Sequence, residues 1–305
     1  MRQRLCVNDV APWSIRSGLY KGDLMNKSMA KVNELLAAVA QMVNDDTAAP
    51  HSGPFKVGID LGTADIQTAV LDENNRPLAC YLDWSNVVQD GVVVDYHGAC
   101  LIVREQLRRA SERLGIRIEQ ASTSYPPGTD PRISINVVES SGVEVADVID
   151  EPSSVATLLQ LQHAAVVDIG GGTTGTAIIE DGKVVKSVDD PTGGHHLTLT
   201  LAGHHNIPYE QAELLKRSDN SGEVLSVVQP VIVKMADIVK QHIAEHAPPA
   251  IYLTGGCCAL LGFAEVFAAE FPDIDVIFPT HPLYLTPLAI AAFGSTERLR
   301  QQHAC

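Results

Sequence analysis

The chain has 305 residues, of which 45% are hydrophobic and 19% are charged, enough apolar material for one large core or two modest ones. Acidic side chains outnumber basic ones by 37 to 22, and the net charge of −15 argues against nucleic acid or an anionic membrane as a main partner. No apolar run approaches the roughly 18 residues of a membrane span, the N-terminus lacks the apolar segment of a secretory signal, and the six cysteines show no disulfide rhythm. We therefore expect a cytoplasmic protein with reduced thiols.

The first 54 residues form an N-terminal extension that differs in composition from the rest. Residues 1–31 hold six basic and two acidic side chains. Apolar residues then recur at helical spacing, which predicts an amphipathic helix over residues 29–43, followed by a linker over 45–54. The apolar stripe consists of Val32, Leu35, Leu36, Val39 and Val43. Two interpretations stay open: the helix packs on its own domain, or it docks on a partner protein.

From residue 55 onward the sequence contains an internal repeat. Residues 57–72 align without a gap on residues 165–180, and each copy predicts a strand, a tight Asp-x-Gly turn, a second strand, a turn and a third strand. The matched pairs include Asp60 with Asp168, Gly62 with Gly170, and Thr68 with Thr176. Two such units 108 residues apart indicate a duplicated α/β fold.

Helical and strand patterns alternate between and after the repeats, as in an α/β protein. The first half predicts helices over 97–114, 131–141 and 152–161, and strands over 118–124 and 143–149. The second half predicts helices over 195–202, 209–217, 223–245 and 257–271 and from residue 287, and strands over 250–254 and 275–278. We expect the adjacent Cys257 and Cys258 to be small buried residues that open a helix. The predicted domains are 55–162 and 163–295, with a tail over 296–305.

The glycine turns suit an anion. An Asp followed by x-Gly-Thr or x-Gly-Gly-Gly-Thr at a strand end presents bare backbone N–H groups, and no Cβ prevents the close approach of a phosphate. Asp60 and Asp168 are the acids that Mg²⁺ needs, since this ion binds through one or two carboxylates, water and phosphate oxygens. A third turn, Gly255 and Gly256 after Thr254, ends a strand and suits close approach to a nucleotide.

Along the chain, the turn after Asp60, the acidic residues before Pro152, the turn after Asp168 and the turn after Thr254 follow one another. This ordered set resembles the signature of the superfamily of actin, DnaK chaperones and sugar kinases. The resemblance spans about residues 55–294. It implies an actin-like ATPase fold of two duplicated ribonuclease-H-like domains with reduced peripheral subdomains. It also implies that the chain binds ATP together with Mg²⁺.

Within that superfamily the chain is similar to the EutJ family of ethanolamine-utilisation proteins. The stretches that carry this similarity are 82–84, 87–93, 124–137, 192–197, 234–239 and 286–291. The resemblance implies a DnaK-like chaperone or assembly factor that acts on ethanolamine ammonia-lyase or on the shell proteins of a bacterial microcompartment. It also implies a cytoplasmic protein associated with such a compartment. A small-molecule kinase and an actin-like structural subunit are the alternatives on the same fold.

The resemblance also implies roles for single residues. Asp60, Asp168 and Glu151 would be catalytic, with Glu151 near the attacking water and the two aspartates holding Mg²⁺ through water. Residues at four turns and on one helix would bind the nucleotide: Gly62 and Thr63 in the first phosphate loop; Gly170, Gly171, Gly172, Thr173 and Thr174 in the second; Gly193 and Gly194 in a phosphate-side turn; Glu213 and Lys216 beside the ribose and adenine; Gly255 and Gly256 in the adenosine pocket.

Several features depart from the family pattern. Ala64 and Asp65 replace the second Thr and the Asn of the usual DnaK loop, which places a carboxylate close to the γ-phosphate position. Only 83 residues separate Gly172 from Gly255, so the lobe over the adenine is expected to be small. No peptide-binding domain follows residue 294, so clamp-and-lid chaperone activity is not expected. The chain is expected to hydrolyse ATP slowly at most. The histidine pairs 195–196 and 204–205 are interpreted as polar helix positions rather than metal ligands.

Overall fold

The computed structural model describes residues 23–89, 92–219 and 221–294. Within these ranges the chain forms nine α-helices and twelve strands. The helices are α1 (Asp23–Met42), α2 (Tyr96–Leu114), α3 (Arg132–Ser140), α4 (Glu151–Leu159), α5 (Gly194–His205), α6 (Tyr209–Ser218), α7 (Glu223–Ile243), α8 (Phe263–Ala269) and α9 (Leu285–Phe293). The strands of the first half are β1 (Phe55–Leu61), β2 (Asp65–Asp72), β3 (Pro77–Trp84), β4 (Val88–Gln89), β5 (Val92–Val93), β6 (Gln120–Tyr125) and β7 (Glu144–Asp150). Those of the second half are β8 (Ala164–Ile169), β9 (Thr174–Glu180), β10 (Lys183–Asp190), β11 (Ala250–Thr254) and β12 (Asp275–Ile277).

Two five-stranded sheets share one topology. Their strand orders are β3-β2-β1-β6-β7 and β10-β9-β8-β11-β12, each with an antiparallel three-strand meander extended by two parallel strands. The register repeats as well: Gly58 pairs with Ala69 in the first meander, and Val166 pairs with Ala177 at the aligned positions of the second. The duplication predicted from the sequence is confirmed. We call each sheet with its covering helices a lobe, and the space between the lobes the cleft.

The two lobes interlock through exchanged helices. Helix α4 follows the first sheet in the chain but packs on β8 and β9, and α9, at the end of the second half, packs on β1, β2 and β6. The contact between α9 and β1 is made at Gly58, where a Cβ atom would lie 2.3 Å from the backbone nitrogen of Ala291. Only a glycine at this position allows α9 to approach the strand so closely.

Helix α1 is part of the central core between the lobes. Met29, Val32, Leu36 and Val39 are buried in one apolar cluster with residues of both sheets and of α4 and α9. The segment after the helix covers the edge of the first sheet, because Val43 forms a parallel bridge with Cys80. Of the two interpretations of the apolar stripe, the structure shows the helix packed on its own domain. The helix begins at Asp23 rather than at residue 29.

The structure corrects the predicted helix over 257–271. Cys257 lies in a short 3₁₀ turn, Gly256–Ala259, and α8 begins only at Phe263. The helix cannot run through because Leu260 is extended and Gly262 has a φ of +79°. The hairpin of β4 and β5 was not predicted. Within the described ranges, no helix is both long and apolar enough to cross a membrane.

Candidate functional site

Two aspartates occupy equivalent positions near the ends of the first strands of the two sheets. Asp60 in β1 and Asp168 in β8 are both buried. A hydroxyl donates to each carboxylate: Ser124 Oγ lies 3.2 Å from Asp60 Oδ1, and Thr286 Oγ1 lies 2.6 Å from Asp168 Oδ2. The two carboxylates are close enough to interact: burial and then the charge of Asp168 raise the pKa of Asp60. The structure thus brings the paired acids of the repeat together.

Three more carboxylates lie near them, of which Asp65 is buried and Glu151 and Asp189 are half-buried. Burial raises the pKa of Asp60 to about 8, of Asp65 and Asp168 to about 6, and of Asp189 to about 7. Burial and then the charges of Asp60 and Asp168 raise the pKa of Glu151 well above its usual range. Carboxylates in such surroundings bind either protons or a divalent cation, because water no longer stabilises their charge.

The two predicted phosphate loops meet across the cleft. A Cβ atom at Gly171 would lie 2.8 Å from the Cβ of Ala64, so only a glycine lets the second loop approach the first this closely. The contact also explains the departure at position 64, because a larger side chain there would collide with the second loop. Gly62, Thr63, Gly170 and Gly171 are partly exposed at this junction and can meet a ligand.

The remaining residues of the second loop are buried and maintain its shape. The backbone nitrogen of Gly170 donates to the carbonyl of Thr173 at 3.0 Å. Thr174 donates from Oγ1 to the carbonyl of Thr192 at 2.6 Å. Gly172, Thr173 and Thr174 are therefore placed beside the site, but their contacts hold the loop rather than face the open cleft.

The N-terminus of α5 abuts the second phosphate loop. The backbone nitrogen of Gly194 donates to the carbonyl of Gly170 at 3.0 Å, and the next helix amide donates to the next loop carbonyl at 2.7 Å. Gly193, which precedes the helix, is buried. The positive end of the helix dipole therefore points at the predicted phosphate position, which favours an anion there.

The histidines near this turn are engaged in local contacts. Nδ1 of His195 lies 3.0 Å from the hydroxyl of Tyr209, and Nδ1 of His196 accepts from the backbone nitrogen of Gly193 at 3.3 Å. The second pair, at 204–205, is exposed at the end of α5. Across the part of the chain that the structure describes, no group of three or more His, Cys, Asp or Glu residues is arranged to hold a metal ion directly.

Glu213 and Lys216, predicted to flank the ribose and adenine, form a network within the second lobe. Lys216 Nζ lies 2.8 Å from Glu213 Oε2 and donates to the carbonyl of Gly194 at 3.1 Å and to Oγ1 of Thr198 at 2.8 Å. Burial alone would raise the pKa of Glu213, but Lys216, Thr198 and Arg217 hold it below its usual range. Both side chains are largely buried, and they support the N-terminus of α5 from behind.

The third glycine turn closes the site on the side of the second sheet. Gly255 has a φ of +92°, and a Cβ atom there would lie 2.4 Å from Oδ1 of Asp168. Gly256 is exposed, and Cys257 donates from Sγ to the carbonyl of Gly170 at 3.0 Å. The second glycine turn therefore contacts both the first and the third, as a shared ligand site requires.

Sequence reasoning missed four residues of this site: Ser124, Asp189, Cys257 as a loop contact, and Thr286. Asp189 carried only a weak signal, because it lies three residues before a Thr-Gly-Gly turn but lacks the Asp-x-Gly spacing of the two predicted loops. The two hydroxyls carried none, because Thr286 reaches Asp168 from 118 residues away and its role depends on where α9 packs.

The residues at this site fit a phosphate group with a divalent cation. The donor set consists of carboxylate oxygens, which Mg²⁺ prefers, and of loop backbone that lacks side chains at the point of contact. The cluster carries an excess of buried negative charge, and a divalent cation would relieve it. Asp60 and Asp168 would hold such an ion through water, and Gly62, Thr63 and Gly170 would meet the phosphate.

Residues 165–289 match the family model described as cell division protein FtsA. The ethanolamine utilization protein EutJ of Salmonella typhimurium is 51% identical to the chain over 262 residues, which cover 86% of this chain and 93% of that protein. The chain belongs to the EutJ family. A crystal structure of EutJ from Carboxydothermus hydrogenoformans matches with a TM-score of 0.83 and 43% identity, over 87% of this chain and 100% of that chain.

The fold of this EutJ-family member is that of the actin-like ATPases. MreB5 of Spiroplasma citri bound to ADP matches with a TM-score of 0.61 and 17% identity, over 77% of this chain and 94% of that chain, a likeness that shows the fold alone. The predicted fold class and family are thus confirmed. As a EutJ-type ethanolamine-utilisation protein, the chain belongs to the actin and DnaK-like ATPase superfamily.

Proposed function

We propose that this EutJ-family protein binds ATP with Mg²⁺ in the cleft and hydrolyses it slowly. One observation supports the proposal above all: buried acids from both sheets converge on two glycine loops that touch each other. A ligand that pairs phosphates with a divalent cation supplies both the positive charge that the acids lack and the anion that the loops accept. No other described region combines these two features.

The chain's own groups have distinct tasks in this proposal. Asp60 and Asp168 orient the hydrated cation, and the partly exposed loop residues, with the positive end of α5 behind them, receive the phosphates. Mg²⁺, when bound, neutralises the charge of the phosphoryl group. Glu151, at the first position of α4, holds a water and takes up its proton, a task that suits a half-buried carboxyl with a raised pKa.

We expect slow turnover because, among the residues that the structure describes, the arginine that acts on the acid cluster is already paired. Arg217 is the cation whose charge lowers the pKa of Asp65, but its side chain is committed to Glu213 and to Trp84. An arginine that stabilises the transition state contributes a factor of about 10³ to 10⁵ in phosphoryl transfer. Steady-state hydrolysis without a partner should therefore be weak.

Calorimetry with millimolar Mg-ATP tests binding. Asp168→Asn should weaken it, since this carboxylate faces the second loop, whereas Asp273→Asn, a matched change at an exposed acid, should leave it unchanged. No heat from the unaltered protein would end the proposal. Equal binding by the two variants would show that the nucleotide lies elsewhere.

Phosphate release tests the role of Glu151. Glu151→Gln should lower the rate of hydrolysis while sparing affinity, because the amide keeps the shape of the side chain but cannot take up a proton. Equal losses of rate and affinity would assign Glu151 to binding instead. Fast hydrolysis by the isolated protein would contradict the proposed slow ATPase.

We further propose that the nucleotide state controls a chaperone or assembly function in ethanolamine utilisation, with ethanolamine ammonia-lyase or microcompartment shell proteins as the partner. Membership of the EutJ family supports the pathway. Purification of the tagged full-length chain from ethanolamine-grown cells, followed by identification of the bound proteins, tests the partner. Enrichment of lyase or shell subunits that Asp168→Asn reduces would support the proposal, and their absence would refute it.

A further inference from the structure

A cation–π contact joins the two lobes beside the phosphate loops. The guanidinium carbon of Arg217, on α6 of the second lobe, lies 3.7 Å from the ring centroid of Trp84, at the end of β3 in the first lobe. At this distance the planar guanidinium stacks on the indole face. The contact therefore crosses the cleft, whereas most hydrogen bonds of the site lie within one lobe.

Each half of this contact is tied to a phosphate loop. Trp84 pairs with Asp65 in the β2–β3 ladder, and the next residue, Ser85, donates from its backbone nitrogen to the carbonyl of Ala64 at 3.0 Å. Ala64 is the residue of the first loop that touches the second. The position of Trp84 is therefore coupled to the junction of the two loops.

The arginine is tied to the second lobe in the same way. Its Nε donates to Glu213 Oε1 at 2.7 Å, and Glu213 pairs with Lys216, which donates to the carbonyl of Gly194 at the start of α5. This network prevents the long side chain of Arg217 from moving freely. A shift of α6 would therefore carry the guanidinium with it.

The contact is also weak enough to break. Trp84 is 42% exposed, so only part of its surface is covered by the arginine and its neighbours. Exposed cation–π pairs change an equilibrium by about two- to fivefold. Such a contact can bias the lobes toward the closed arrangement without preventing them from opening.

We propose that Arg217 and Trp84 form a latch that holds the cleft closed beside the phosphate loops and limits the rate at which nucleotide enters and leaves. The part of this proposal that concerns nucleotide rests on the proposed function above. The part that concerns the lobes does not, because the contact is made between two side chains of the chain itself. Two measurements separate the two parts.

The first measurement follows hydrogen exchange in the nucleotide-free protein. Arg217→Ala, made in the second lobe, should accelerate amide exchange in residues 62–66 and 82–86 of the first lobe severalfold, because those segments lose a contact that crosses the cleft. Leu214→Ala, at an exposed residue of the same helix, serves as the matched control and should leave both segments unchanged. Unchanged exchange in Arg217→Ala overturns the latch whether or not the protein binds nucleotide.

The second measurement follows release of a fluorescent ATP analogue in the presence of Mg²⁺. Arg217→Ala and Trp84→Ala should each accelerate release about fivefold, the change that a loss of about 1 kcal/mol produces. The double variant should release no faster than either single one, because both remove the same contact. Additive acceleration would overturn the latch.

Arg217→Lys separates stacking from charge. Lysine keeps the positive charge near Asp65 but lacks the planar group that stacks on Trp84. The latch predicts that Arg217→Lys releases the analogue as fast as Arg217→Ala. Release at the rate of the unaltered protein would mean that charge alone acts, which overturns the stacking latch. No detectable binding of the analogue, with accelerated exchange in Arg217→Ala, would refute the proposed nucleotide site and leave the interlobe contact standing.

Discussion

Replacing Leu36 by alanine should destabilise the whole protein, although the residue lies in the N-terminal extension. Leu36 is fully buried, at 0% exposure, in the apolar cluster that contains residues of both sheets. Removing a fully buried leucine side chain costs about 2 to 5 kcal/mol, depending on how far the cavity collapses. A chain of this size loses roughly 2 °C in melting temperature per kcal/mol, so the midpoint should fall by about 4 to 10 °C.

Thermal unfolding followed by circular dichroism measures this effect. Gln41→Ala is the matched control, since Gln41 is exposed on the same helix and its replacement should change stability by no more than about 0.5 kcal/mol. The cooperativity of the transition should be retained in both variants. Equal melting temperatures for the two variants, with loss of partner recovery in Leu36→Ala alone, would show that the helix is a detachable docking peptide and would refute the reasoning.

Two further predictions concern packing and charge. Gly58→Val should destabilise the protein by about 3 kcal/mol or more, because the new Cβ would lie 2.3 Å from the backbone nitrogen of Ala291. The control Gly203→Ala, at an open helix position, should be neutral or slightly stabilising. Denaturant titration of the two variants measures the difference. The metal-free protein should lose stability as pH rises from about 5 to 8.5. Asp60 and its neighbours have folded-state pKa values from about 6 to about 8, so the folded state retains protons that the unfolded state has released. Asp60→Asn should flatten this dependence of stability on pH. At pH 8, millimolar Mg²⁺ should raise the unfolding midpoint more in the unaltered protein than in Asp60→Asn. Stability that rises with pH would contradict the acid cluster.

The internal repeat is the feature from which most of the fold could be predicted. Because the same strand and turn pattern occurs twice, a single alignment placed Asp60 and Asp168 at equivalent strand ends and indicated two sheets of one topology. Turn chemistry is local: an Asp-x-Gly sequence at a strand end adopts its geometry from neighbouring residues alone. The glycine turns themselves were therefore predictable without any knowledge of what packs against them.

The predicted helix over 257–271 was wrong at its start. Its apolar residues recur at helical spacing, but periodicity carries no information on where the backbone breaks. Gly262 breaks the helix with its φ of +79°, and a Cβ atom there would lie 2.3 Å from Cδ2 of Leu225 in α7, far away in the chain. Sequence reasoning therefore recognised the element and misplaced its start.

Contacts between distant segments decided the rest of the site. Thr286 reaches Asp168 only because α9 packs on the first sheet, and Arg217 reaches Trp84 only because the end of α6 lies near the end of β3. The same holds for the buried state of the acids, since a raised pKa depends on how completely neighbouring elements exclude water. Residue identity and local spacing determined which chemistry the chain could perform, whereas the packing of elements far apart in sequence determined which groups meet, which are neutralised and which stay open to a ligand.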